Sequence, residues 1–160
     1  MPTTTLHLVR HGEVHNPQAI LYGRLPRFRL SERGREQARA AAEALRAEPL
    51  VAVYTSPMLR ARQTAGIIAE PHNLPVQQSA LLNEIHSPHQ GRPYAELDAI
   101  KWNLYEGIGP EYEQPEDIVA RLQRFAARLR RNHPGQAVAA VTHGDVVIHA
   151  QLWARGLALT

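Results

Sequence analysis

Hydrophobic residues along the chain form short continuous runs, and these alternate with segments in which apolar residues recur at helical spacing. Three runs have the length and composition of buried strands: residues 5–9, 50–54 and 137–142. Helical spacing is found in four segments: residues 31–47, 56–68, 115–131 and 146–155. Strands that are apolar throughout and separated by helices favour a mostly parallel sheet with both faces covered. The predicted fold is therefore α/β, a three-layer α/β/α sandwich around a mostly parallel central sheet.

Capping residues mark where two of these helices are expected to begin. Ser31 offers an N-cap to the first helix. Ser56 offers another, with Pro57 in the first turn, where the missing N–H costs nothing. The middle of the chain, residues 71–113, carries prolines, glycines and aromatic residues without a regular period. It is expected to form loops and short elements that cover a site.

Polar side chains follow the predicted strands at the points where the strands end. These residues are Arg10, His11 and Gly12 after the first strand, Thr55, Ser56 and Arg60 after the second, and His143 and Gly144 after the last. Ligands of parallel sheets bind at the carboxyl ends of the strands, so these groups should meet in one crevice. Imidazole is a competent nucleophile, and arginine grips phosphate oxygens with permanent charge. The arrangement thus indicates phosphoryl transfer.

Composition narrows the classes of function. The chain has no cysteine, which excludes disulfides, thiolate nucleophiles and cysteine-ligated zinc. Its formal net charge is +3, but the arginines are scattered, so we expect no nucleic-acid partner. No apolar run could span a bilayer and the N-terminus lacks a signal-peptide pattern, so we expect no membrane partner and a cytoplasmic location.

Two histidine pairs have spacings that a zinc site could use: His86 with His89, and His11 with His15. The first pair lies in a proline-bearing loop without an evident third ligand. His11 is better explained by phosphoryl chemistry. We therefore expect neither a metal site nor a cofactor.

Blocks of sequence, and not only single residues, occur in a fixed order along the chain. They are LVRHGE at residues 8–13, YGR and LSERGREQA within 22–38, YTSPMLRARQTA at 54–65, LNE with Gly91 within 82–91, and VTHG at 141–144. This order resembles the histidine phosphatase superfamily, the clan that includes the cofactor-dependent phosphoglycerate mutases. The resemblance covers nearly the whole chain and implies a phosphoglycerate mutase-like fold.

The resemblance also implies a role for each matching residue. His11 would become phosphorylated, and the phosphoryl group would be bound by Arg10, Arg60 and His143. Glu84 would protonate the leaving oxygen and then activate water, and burial in the cleft is expected to raise its pKa for the first task. Substrate contacts are expected from Asn16, Tyr22, Gly23, Arg24 and Gly144. Asn16 stands one position earlier than in the commonest family pattern.

These roles imply a metal-independent phosphomonoester hydrolase that acts through a phosphohistidine on a small phosphorylated metabolite. The alternatives are a phosphoglycerate-type phosphomutase and a non-catalytic phosphate-binding module on the same fold. The segment 91–113 is shorter than the insertion of the mutases, which should let water reach the phosphohistidine and favour hydrolysis. A binding module would be favoured by a missing catalytic position, and none is missing.

Residues 1–160 contain no repeat or linker, so a single histidine phosphatase domain is expected. Family members usually continue past the last helix into a further strand, which the sequence through Thr160 does not provide. We therefore expect either a minimal domain that lacks the usual C-terminal strand or a sequence that is shortened at its C-terminus. An uncovered edge strand is a liability, and pairing with a second subunit would protect it. A homodimer is the resulting hypothesis.

Overall fold

A computed structural model describes residues 2–159. Its sheet has four strands: β1 (Thr5–Arg10), β2 (Leu50–Thr55), β3 (Val76–Gln78) and β4 (Ala137–Thr142). They lie in the order β1-β4-β2-β3, and every neighbouring pair is parallel. The parallel sheet predicted from the apolar runs is thereby confirmed. The carboxyl ends of β1, β4 and β2 lie side by side at one edge.

Helices cover both faces of the sheet and complete the predicted α/β/α layers. They are α1 (Glu32–Leu45), α2 (Leu59–Ala69), α3 (Tyr94–Ala99), α4 (Pro115–Asn132) and α5 (Gly144–Ala154), with short 3₁₀ turns at Glu70–His72 and Ala80–Leu82. Helices α1 and α2 pack on one side of β4, against Ala139 and Val141. Helix α4 packs on the other side, against Val138 and Ala140. Within residues 2–159, no helix has both the length and the apolar character needed to cross a membrane.

The two predicted caps had different outcomes. Ser31 caps α1 as expected, since its hydroxyl accepts a 3.0 Å hydrogen bond from the Gly34 N–H. The Ser56 cap was wrong, because α2 begins only at Leu59 and its N-cap is Met58. The Ser56 hydroxyl instead lies 2.7 Å from Nε2 of His143. This serine therefore belongs to the crevice at the strand ends.

The middle of the chain forms loops and short elements, as the sequence pattern predicted. Strand β3, helix α3 and the turn at Ala80–Leu82 all lie within residues 71–113. This region also pairs with the loop after β1, through an isolated bridge between Ile20 and Pro93 and a 2.7 Å hydrogen bond from Gly91 N–H to the Leu21 carbonyl. The two loops thus cover the carboxyl ends of the strands together.

Candidate active site

His11 follows the last residue of β1 and is only 6% exposed. Its Nδ1 lies 2.7 Å from the Gly12 carbonyl, which can only accept, so this nitrogen carries the proton. Nε2 then holds a lone pair and accepts a 3.2 Å hydrogen bond from Nε of Arg60. Burial, followed by the nearby His143 and Arg60, lowers the pKa of His11 to about 3. At neutral pH the ring is therefore uncharged, as a nucleophile must be.

Arg60 stands at the centre of the site. It lies in the first turn of α2 and is 1% exposed. Besides His11, its guanidinium contacts the Gly23 carbonyl at 2.7 Å and Oε2 of Glu84 at 3.3 Å. The guanidinium carbon of Arg60 also lies 4.5 Å from the centre of the Tyr22 ring. Its position is thus fixed from four directions.

His143 follows β4 and is fully buried. Its Nδ1 lies 3.2 Å from Oε2 of Glu84, and its Nε2 lies 2.7 Å from the Ser56 hydroxyl. Burial is the largest influence on this ring and lowers its pKa. Because the Glu84 carboxylate can only accept, Nδ1 carries the proton and Nε2 accepts from the Ser56 hydroxyl. Nη2 of Arg60 lies 3.2 Å from the same Nδ1 and is then a close neighbour and not a hydrogen-bond donor to it.

Glu84 lies in the loop after the turn Ala80–Leu82, where its side chain is 12% exposed. Burial by itself raises its pKa, as the sequence analysis expected. The neighbouring His143 and Arg60 and the Ile85 N–H nevertheless outweigh burial and lower the pKa to about 2. In the protein without substrate, the expectation of a raised pKa was therefore wrong. Hydrogen bonds and the fixed charge of Arg60 stabilise the Glu84 carboxylate.

Three of these residues also form the one group of metal-type donors found within residues 2–159. One ligand atom each from His11, Glu84 and His143 lies within 4.8 Å of the others. Arg60, however, contacts Nε2 of His11 and Oε2 of Glu84. A divalent cation among these atoms would meet a fixed positive charge, so the donor set fits an anion better than a metal.

Arg10 and Gly144 lie on the solvent side of this cluster. Arg10 is exposed, and its guanidinium packs against Gly144, where a Cβ would lie 3.3 Å from the Arg10 Nε. Gly144 is the first residue of α5, so free N–H groups of the helix start lie nearby. Both positions suit the oxygens of a phosphoryl group bound to His11.

A cavity of about 640 Å³ opens beside His11. It is lined by residues that include Arg10, Asn16, Tyr22, Thr64 and Tyr94. The Asn16 amide is held by the Ile20 carbonyl at 2.9 Å and the Tyr94 hydroxyl at 3.1 Å. Glu84, His143 and Arg60 do not line this cavity, and they contact one another. The cavity has the volume of a small-molecule site.

Gly23 and Arg24 do not line this cavity, and both make contacts within the protein. The Gly23 carbonyl holds Arg60, and its φ of +46° is a backbone conformation that favours glycine. The Arg24 side chain binds the Glu84 carbonyl at 2.7 Å and Glu113 at 3.1 Å. A direct substrate contact by either residue stays a prediction.

Sequence reasoning missed several residues that hold the site together. The Thr64 hydroxyl accepts from the Gly12 N–H at 3.1 Å and donates to the Arg60 carbonyl at 2.9 Å, joining the β1 loop to α2. Thr64 lies one helical turn after Arg60, and this spacing could have indicated that it is close to the site. Glu113 has no such signal, since its partners Arg24 and His86 are 89 and 27 positions away.

Comparison with known proteins shows which family this chain resembles. The family described as histidine phosphatase superfamily (branch 1) matches residues 6–159. Phosphoserine phosphatase 1 of Hydrogenobacter thermophilus is 34% identical, over 86% of this chain and 70% of its own length. The uncharacterized protein Rv0525 of Mycobacterium tuberculosis is 39% identical, over 96% of this chain and 79% of its own. A structure of mycobacterial glucosyl-3-phosphoglycerate phosphatase with VO3 superposes with a TM-score of 0.82 at 29% identity, covering 95% of this chain and 82% of that one.

Proposed function

The chain belongs to the histidine phosphatase superfamily, and from that premise we propose that it hydrolyses a small phosphorylated metabolite through a phosphohistidine, without a metal. One observation carries the proposal. His11 is uncharged and directs the lone pair of Nε2 toward Arg60, and Arg60 in turn contacts Glu84 and His143. The named relatives phosphoserine phosphatase 1 and glucosyl-3-phosphoglycerate phosphatase support hydrolysis of a phosphate ester.

In the first step, Nε2 of His11 attacks phosphorus and the bond from phosphorus to the ester oxygen breaks. Arg60 gives up its hydrogen bond to Nε2, and its N–H groups turn to the phosphoryl oxygens, joined by Arg10 and His143. Positive charge and donors that are already in place stabilise the charge of the transition state without reorganisation of solvent.

The leaving oxygen takes its proton from Glu84, which must therefore be protonated in the complex. A dianionic phosphoryl group draws Arg60 away from the carboxylate and adds negative charge beside it. Both effects raise the pKa of Glu84 above its value in the protein alone. Substrate binding thus prepares the acid that the first step requires.

In the second step, water attacks the phosphorus of phosphohistidine and the bond from phosphorus to Nε2 breaks. The Glu84 carboxylate, left by the first step, accepts the proton of this water. Inorganic phosphate departs, His11 returns to its neutral form, and Glu84 again carries the proton. The Gly12 carbonyl holds Nδ1–H throughout, so the ring keeps its orientation.

The test is hydrolysis of p-nitrophenyl phosphate in excess EDTA by the wild type and by His11→Ala. We expect full activity in the chelator and a loss of about a thousandfold or more in the variant. His72→Ala, which removes a histidine of the turn Glu70–His72 outside the cluster, is the matched control and should keep its activity. Activity lost in EDTA, or retained in His11→Ala, would refute the proposal. Phosphoglycerate isomerisation that needs a bisphosphate primer would favour a mutase instead.

A further inference from the structure

The segment that carries Glu84 belongs to neither a helix nor a strand. It lies between the turn Ala80–Leu82 and the irregular chain that leads to α3. A proton donor must nevertheless be held within a fraction of an ångström of its working position, because small displacements cost large factors in rate. Something other than secondary structure must therefore hold this segment.

Side chains from three other parts of the chain hold its backbone. The Leu81 carbonyl accepts from Arg121 at 2.8 Å, and the Leu82 carbonyl accepts from the Thr142 hydroxyl at 2.7 Å. The Glu84 carbonyl accepts from Nε of Arg24 at 2.7 Å. The main chain is thus fixed on both sides of the Glu84 side chain.

The two arginines of this set meet at one carboxylate, that of Glu113. Its Oε2 lies 3.1 Å from Nη2 of Arg24, and its Oε1 lies 2.7 Å from Nε of Arg121. Glu113 also holds the segment directly, since Oε2 accepts from the His86 N–H at 2.7 Å and its own N–H donates to the His86 carbonyl at 3.0 Å. We call Arg24, Glu113 and Arg121 the Glu113 clamp.

Burial makes this clamp stiffer than an ordinary surface ion pair. The Arg121 side chain is 7% exposed and that of Glu113 is 17% exposed. Replacing the carboxylate by an amide would leave two arginines close together without their shared counter-charge. It would also leave a single oxygen to accept from Arg24, Arg121 and the His86 N–H. Both arginines would shift, and the carbonyls of Leu81 and Glu84 would shift with them.

Resting on the function proposed above, we infer that Glu113 is a positioning residue for the general acid Glu84. It touches neither His11 nor the phosphoryl site. It acts by holding Arg24 and Arg121 on the main chain around Glu84, so its loss should weaken proton donation to the leaving group and spare the attack by His11.

Turnover of two similar aryl phosphates distinguishes this positioning role from a general loss of structure. The phenolate of phenyl phosphate needs a proton far more than the nitrophenolate of p-nitrophenyl phosphate does. The ratio kcat/KM reports the steps through release of the phenol and excludes the later attack of water. Glu113→Gln should lower kcat/KM about tenfold on phenyl phosphate and less than about threefold on p-nitrophenyl phosphate. Glu84→Gln should show the same preference more strongly. Adding Glu113→Gln to Glu84→Gln should cost less than about twofold on either ester, because the acid is already absent.

Glu96→Gln is the matched control, since it removes an exposed carboxylate of α3 that is paired with Arg92. This variant should leave both rates unchanged. Arg121→Lys keeps a charge beside Glu113 but cannot hold Glu113 and the Leu81 carbonyl together. It should shift the same ratio even if Glu113→Gln fails to fold. Equal losses on both esters, or a full additional loss in the Glu84→Gln background, would overturn the positioning role. A wild type inactive on both esters would refute the proposed function itself.

Discussion

At the scale of single residues, the site depends on one arginine that contacts several acceptors simultaneously. Arg60 reaches His11, the Gly23 carbonyl and Glu84 because its guanidinium presents several N–H groups in one plane. The same geometry can grip the oxygens of a phosphoryl group. Arg60 holds the site residues together in the protein without substrate. It is thus also the residue best suited to bind the transition state.

Arg60→Lys tests this dependence on shape at constant charge. An ammonium group cannot reach all the acceptors, so we expect kcat to fall about 100-fold to 1000-fold. Unsatisfied buried acceptors should also lower the free energy of unfolding by about 1–3 kcal/mol. Arg62→Lys, at an exposed position of the same helix, is the control. Steady-state kinetics and urea denaturation measure the two effects, and a variant with wild-type kcat would contradict the role.

The lowered pKa values predict how stability depends on pH. The unfolded chain protonates His11 below about pH 6.5, whereas the folded protein does so only at about pH 3. Unfolding therefore takes up a proton in this window, and stability falls as the pH falls, by about 1.4 kcal/mol per unit at most. Glu84, with a pKa of about 2 in place of 4.5, adds a loss of the same sign below pH 4.5.

The comparison with His11→Asn isolates this contribution, because the substitution removes the His11 ring and keeps every other titratable residue. Between pH 6.5 and 4.5 the wild type should lose about 2 kcal/mol more than the variant. Urea denaturation at several pH values measures the difference. Parallel pH profiles would show that His11 is not held neutral by the fold.

At the scale of elements, α1 is joined to the His11 loop by backbone contact between glycines. A Cβ on Gly34 would clash with the Glu13 carbonyl, and one on Gly12 would clash with the Gly34 carbonyl. The loop after β1 therefore rests directly on the first turn of α1. Helix propensity alone gives the opposite expectation for Gly34, since alanine is the better helix former.

Gly34→Ala should therefore destabilise the protein and lower activity, because the clash pushes the His11 loop away from Arg60. Gly66→Ala is the matched variant, as Gly66 lies in α2 with open space around it. It should raise the free energy of unfolding by about 0.5–1 kcal/mol and leave kcat unchanged. Thermal unfolding and p-nitrophenyl phosphate turnover compare the pair. A stabilised Gly34→Ala would contradict the contact.

The elements that the sequence predicted correctly are those with a local signal. Apolar runs located β1, β2 and β4, and the Ser31 hydroxyl located the start of α1. Strand β3 has only three residues and lacks a buried one, so no run revealed it. Ser56 had the residue type of a cap but bonds His143, a partner 87 positions away that no local pattern contains.

At the scale of the whole molecule, strand order explains why the site residues could be grouped in advance. Strands β1, β4 and β2 are adjacent, so the loops that follow them bring His11, His143 and Arg60 together. The pKa of Glu84 and the Glu113 clamp could not be predicted in this way. The pKa of Glu84 depends on Arg60, 24 positions away, and the clamp depends on the contact of Arg24 with Glu113, 89 positions apart. Neither spacing follows from a periodic pattern.

The homodimer remains a prediction at this scale. Strand β1 lies at one edge of the sheet and hydrogen-bonds only β4 among the strands within residues 2–159. Exposed Trp153 and Leu157 lie at the end of α5 and beyond it. Light scattering at micromolar concentration should give a mass near twice 17.9 kDa. A mass of one chain would contradict the dimer and leave the catalytic account intact.

The proposed mechanism requires that the phosphoryl group be bound covalently to His11 during turnover. The most direct test is rapid quenching of Glu84→Gln with p-nitrophenyl phosphate, followed by mass spectrometry of the peptide that contains residue 11. In this variant the first step proceeds with a good leaving group while the activation of water is slow, so phosphohistidine should accumulate at His11. It should be labile to acid and absent from the same variant carrying His11→Ala. A phosphoryl group on another residue, or turnover without any phosphorylated enzyme, would contradict the mechanism.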